Sequence, residues 1–139
     1  MKTDAAVELF LDQVTAWARQ QPDLQAAALV GSQAHGTARP DSDIDLVLLA
    51  DEPGLYLRST TWVERFGQPL RQQVEDYGRL TSLRVWYQDG PEVEFGLSDP
   101  GWAALPLDAG TRRVLTDGAR LLFERGAALS PALAECGQI

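Results

Sequence analysis

The sequence predicts an α+β fold, a single domain built on a mixed sheet. Three observations carry that reading. An opening stripe of apolar residues recurs at helical spacing, and Ile44–Ala50 is a nearly continuous apolar run of the kind a strand covered on both faces needs. Segments 80–87 and 92–97 alternate instead, on either side of an Asp89-Gly90 turn signal, which is the pattern of a hairpin with one face toward the core.

In chain order, Val7, Phe10, Leu11, Val14, Trp17 and Ala18 form one stripe of a helix over 3–20, with Thr3 or Asp4 as N-cap and Pro22 beyond its end. Residues 25–30 read as a buried strand running directly into Gly31-Ser32. The polar segment 33–42, with Gly36 and Pro40, is a loop or a short helix followed by a loop. After the Ile44 strand, Asp51-Glu52-Pro53-Gly54 is a turn, and 60–66 is a helix turning Trp62, Val63 and Phe66 inward and stopped by Gly67. Ser98-Asp99-Pro100 reads as a cap and first-turn proline opening a short helix through Trp102. A second hairpin is expected between 113–115 and 119–123 around Asp117-Gly118, and Ser130-Pro131 opens a last short helix. Asp108-Ala109-Gly110-Thr111 reads as a turn without a role, and the four tryptophans as core or interface residues. The core of the domain is expected over roughly 25–100, with the C-terminal hairpin and helix over 111–139.

Composition bounds the function. The chain has 139 residues, 12 Lys+Arg against 20 Asp+Glu, and a formal net charge of −8. That length suits one domain with a real core. The acidic balance argues against a protein that clamps a nucleic-acid backbone, because phosphate neutralisation needs a basic face. No apolar run reaches the ~18 residues of a membrane span, and the N-terminus lacks a signal-peptide pattern, so a cytoplasmic location is expected. The lone Cys136 and lone His35 exclude a zinc site built from those ligands within one chain.

Chemistry concentrates in Gly31-Ser32, ten further residues, then Asp43-Ser-Asp45 entering the strand. Asp43 and Asp45, two apart on a strand, point to the same face with Cα atoms roughly 7 Å apart. Two carboxylates on one face repel unless cations lie between them, which is how a two-metal site clamps a transferring phosphoryl group. Gly31 lets the backbone turn tightly and approach a ligand, and Ser32 with the following N–H groups can receive phosphate. An all-oxygen site completed by substrate phosphates and water selects Mg²⁺.

This pattern resembles the nucleotidyltransferase superfamily typified by DNA polymerase beta, and at this length its minimal bacterial and archaeal members. Trp62-x3-Phe66-Gly67 and Asp89-Gly90-x-x-Val93-Glu94-Phe95 are more loosely similar to small-molecule adenylyltransferases of the aminoglycoside-modifying type. The resemblance covers roughly 25–100 and implies a polymerase-beta-like core, a mixed sheet with helices packed mainly on one face. It also implies a third carboxylate on a later strand. Glu92 and Glu94 share a strand face; Glu94 is preferred because it lies deeper, between Val93 and Phe95, whereas Glu92 follows Pro91 at the hairpin mouth. Arg39 is a candidate for the triphosphate, and Ser42 and Thr37 for phosphate or for orienting Asp43; His35 is read as loop filling.

The implied function is transfer of a nucleoside monophosphate, AMP from ATP as the family default, to a hydroxyl acceptor with two Mg²⁺ ions. Asp43, Asp45 and Glu94 would be the catalytic metal ligands, and Gly31, Ser32, Arg39 and Ser42 the nucleotide contacts. The acceptor is expected to be a small molecule or a partner protein. Its site would be completed by a homodimer, by a small helical protein, or by the substrate itself. Two alternatives stand beside this: an antitoxin that adenylylates a HEPN-type toxin, and a catalytically idle nucleotide-binding module.

Overall fold

The computed structural model describes residues 5–39, 42–88 and 90–139. The expected caps Thr3 and Asp4, and Asp89 of the hairpin turn, lie outside the described residues. Thirteen elements follow one another. They are helices α1 (Ala5–Arg19), α2 (Gly31–His35), α3 (Gly54–Arg58), α4 (Ala109–Thr116) and α5 (Ser130–Glu135); strands β1 (Leu24–Val30), β2 (Ile44–Ala50), β3 (Pro69–Tyr77), β4 (Leu80–Tyr87), β5 (Glu92–Ser98) and β6 (Ala119–Glu124); and 3-10 turns at Thr61–Phe66 and Pro100–Ala103.

The six strands form one sheet in the order β3-β4-β5-β2-β1-β6. Only β2 and β5 run parallel; the other neighbours are antiparallel. The sheet is therefore mixed, and α3 and the 61–66 turn lie in the crossover that the parallel pair requires.

The larger core lies on one face. Val7, Phe10, Leu11, Val14 and Trp17 of α1 pack there with Ile44, Leu46 and Leu48 of β2 and Val93, Phe95 and Leu97 of β5. Trp62 stacks on Trp17 with ring centroids 5.1 Å apart and meets Phe95 edge-on at 4.8 Å, which closes this layer over the centre of the sheet. On the opposite face, a smaller core joins Ala26, Ala28, Val47 and Leu49 to Trp102, Leu115, Leu129 and Leu133. That layer lies mainly over the β2-β1-β6 side, with Leu80 of β4 at its margin, and beside it opens a cavity bounded by Asp45, Ser82 and Glu94. The opening is where the site lies.

Three elements differ from the sequence reading. Residues 113–115 are not a hairpin arm: they belong to α4, because Asp108 accepts a hydrogen bond from Thr111 N–H and caps a helix that buries Thr111 and Leu115 four residues apart. The supposed turn at 108–111 is thus a helix start, and Asp117-Gly118 joins a helix to β6. Strand β3 carries no apolar alternation because it is an edge strand held by β4 alone and exposed along most of its length. Helix α3 was hidden by its shortness; it buries only Tyr56, whose backbone carbonyl accepts from Trp62 Nε1 at 2.9 Å. Among the described residues no helix is long and apolar enough to cross a membrane.

Candidate active site

Strand alternation sends Ile44, Leu46 and Leu48 into the larger core and Val47 and Leu49 into the smaller one, so Asp45 stands on the open face just before the covering layer begins. Register then builds a row across the sheet. Val30 pairs with Asp45, Asp45 with Glu94, and Glu94 with Arg84. Asp43, one step outside the strand, completes a cluster: one carboxylate oxygen from each of Asp43, Asp45 and Glu94 lies within 4.8 Å of the others. Like charges at such a separation repel by about 3 kcal/mol per pair at an effective dielectric constant of 20. The cluster therefore demands a proton or a cation.

The structure carries the mark of that demand on Asp45. Its carboxyl is pushed up to about 7, first by burial, then by Glu94 and Asp43, with Arg84 opposing. Its Oδ1 is buried without a hydrogen-bond partner. A buried acceptor left open among carboxylates fits a divalent cation held by oxygen donors.

Gly31 opens α2 with φ +72, a left-handed conformation that favours glycine. A Cβ at this position would stand 2.3 Å from Asp45 Oδ2. The backbone thus runs against the carboxylate, and no side chain fits between them. Two adjoining cavities meet at this point. One of about 240 Å³ is lined by Gly31, Asp45, Tyr77, Ser82, Glu94 and Asp117 among others. The second, about 290 Å³, is lined by Gly31, Ser32, His35, Thr37 and Asp117. The glycine-serine segment and the carboxylates, ten residues apart in sequence, are neighbours in space.

Not every candidate joins them. The Ser42 hydroxyl accepts from Arg39 N–H at 2.7 Å, a local turn, and among the described residues neither Ser42 nor Arg39 lines either cavity. Glu92 lies against Asp43 and Arg84 rather than in the three-carboxylate cluster; burial first, and then Asp43, raises its carboxyl. Geometry thus brings Glu94 to Asp45 and keeps Glu92 one pair further out.

Four residues of the site were not singled out from the sequence. Ser82 and Tyr77 line the cavity, Asp117 faces both cavities, and Arg84 joins β4 to the carboxylates. A signal for Arg84 existed: in an alternating strand it falls on the face opposite Leu83 and Val85. Asp117 carried none, since it reaches the site only through α4, which was read as a hairpin.

The streptomycin adenylyltransferase family model matches residues 3–100. No curated protein matches the chain significantly by sequence. Among solved structures, an aminoglycoside 6-adenyltransferase from Bacillus subtilis superposes with a TM-score of 0.53 at 15% identity, over 70% of this chain and 36% of that one. A cytoplasmic RNA terminal U-transferase gives 0.54 at 16% identity, over 84% and 35%. The apo form of a CCA-adding enzyme gives 0.51 at 14%, over 87% and 28%. The match spans about a third of each of these proteins, and what they share with this chain is the fold.

Proposed function

The chain belongs to the streptomycin adenylyltransferase family, with the fold of the polymerase-beta nucleotidyltransferases, and from that premise we propose that it moves AMP from ATP to a hydroxyl acceptor. The observation that carries this reading is the meeting of Asp43, Asp45 and Glu94 beside Gly31 and Ser32. Asp43, Asp45 and Glu94 would hold the Mg²⁺ ions. A divalent cation bound there neutralises triphosphate charge and draws electrons from the phosphorus.

The chain's own residues supply the rest. Gly31 admits the phosphates close to the backbone, and the Ser32 hydroxyl donates to a phosphate oxygen. Arg39 and Ser42, the other candidate nucleotide contacts, lie outside the lining of both cavities. Glu94 takes the acceptor's proton as its oxygen bonds to the α-phosphorus, and the bond to the departing pyrophosphate breaks. The cavity lined by Asp45, Glu94 and Asp117 would receive the acceptor, and its carboxylates suit a small hydroxylated molecule bearing amines, the class named for the family and for the Bacillus relative.

Incubation with α-labelled ATP, Mg²⁺ and a lysate of the source organism tests this. Mg²⁺-dependent label in the small-molecule fraction is expected. Label on a protein would redirect the acceptor to a partner such as a small helical protein, and label in neither fraction would refute transfer and favour an idle nucleotide-binding module.

A further inference from the structure

Arg84 is the one guanidinium bonded to the carboxylates of this face among the described residues, and every nitrogen of its fork is engaged. Nε donates to Glu75 Oε1, Nη1 to Glu92 Oε2 and Nη2 to Glu94 Oε1, each at 2.9 Å. All four side chains are between 20% and 26% exposed, so these ion pairs are better shielded than ordinary surface pairs. The ring of Trp86 lies 5.8 Å from the guanidinium carbon and walls one side. Glu94 Oε1 also receives the Ser82 hydroxyl at 3.4 Å.

We propose that Arg84 is a positioning residue for the third carboxylate. It pins Oε1 of Glu94 to β4 and so presents the other oxygen to Asp43 and Asp45. Glu75 on β3 and Glu92 on β5 hold the guanidinium from two further directions, which makes its position independent of Glu94. A lysine could not reproduce this, because a single ammonium cannot reach three carboxylates in one plane. This inference rests on the reading of Asp43, Asp45 and Glu94 as metal ligands.

If Arg84 were only a nearby positive charge, removing it would tighten cation binding, and a lysine there would change nothing. A positioning role predicts the reverse: Arg84→Gln and Arg84→Lys both weaken Mn²⁺ binding, by roughly 10–100-fold as for other residues that orient metal ligands. Mn²⁺ titration of the nucleotide-free protein, followed by the spectroscopic signal of the free ion, reads this directly. Circular dichroism establishes that each variant is folded. Where Arg84→Gln fails to fold, Arg84→Lys, which keeps the charge and most of the stem, decides. Binding that is unchanged in Arg84→Lys, or tighter in Arg84→Gln, overturns the proposal. Asp45→Asn in the same titration separates the two layers: if it too binds Mn²⁺ like the parent, the metal reading itself fails, and the role of Arg84 falls with it.

Discussion

Replacing Gly31 by alanine adds one carbon at the closest approach in the site. Two effects follow from its geometry. A non-glycine residue at φ +72 carries about 1–2 kcal/mol of left-handed strain. The new Cβ would also stand 2.3 Å from Asp45 Oδ2, more than 1 Å inside ordinary contact, so the carboxylate must leave its present place in the cluster. Overpacking of this kind adds about 1–3 kcal/mol. Gly78 supplies the control: it has φ +83, and an added Cβ there meets nothing within 4 Å. Gly78→Ala therefore carries the strain alone. Urea unfolding of both variants should show Gly31→Ala less stable than Gly78→Ala by about 1–3 kcal/mol, and Mn²⁺ affinity should fall only for Gly31→Ala. In an Asp45→Ala background the nearest remaining Asp45 atom is Cβ at 3.3 Å, so most of the excess should disappear. Equal losses in the two glycine variants, with Mn²⁺ binding intact, would refute the steric account of this glycine.

Two further predictions follow from the same cluster. Asp45 takes up a proton near pH 7 when folded and near 3.8 when unfolded, so the folded chain binds more protons between these values. Stability of the metal-free protein should therefore decline as pH rises through that window, by up to about 1.4 kcal/mol per unit from this group. Subtracting the urea-unfolding curve of Asp45→Asn isolates the slope, and a parent and variant with parallel profiles would contradict it. Glu94→Gln should abolish Mg²⁺-dependent transfer while Glu92→Gln retains most of it, because only Glu94 belongs to the cluster with Asp45; initial rates with both variants decide, and the opposite ranking would move the third ligand to Glu92.

Where sequence periodicity was strong, it located the fold. The apolar stripe of α1, the doubly buried β2 and the β4-β5 hairpin all follow from spacing, and the parity of Asp43, Asp45, Glu92 and Glu94 placed the carboxylates on one face. Pairing across strands is another matter. That Asp45 faces Glu94 and not Glu92 depends on the parallel register of β2 and β5, which local pattern does not encode. The edge strand β3 was invisible because a strand bonded on one side and exposed on both faces has no burial to impose a period. Helix α4 departs from the expected hairpin because Asp117-Gly118 serves a helix end as readily as a hairpin, while the helix start rests on Asp108 as a cap. Alternation gives the face of Arg84, but what it does there depends on what the adjacent strands present, which local pattern does not encode.

The proposed transfer requires that Asp43 and Asp45 bind nucleotide through a divalent cation. Calorimetric titration of Mg·ATP into the parent, Asp43→Asn and Asp45→Asn tests it most directly. The parent should bind and lose binding when Mg²⁺ is chelated, and both variants should remain folded with affinity reduced about 100-fold or more. Folded variants that bind Mg·ATP like the parent would contradict it.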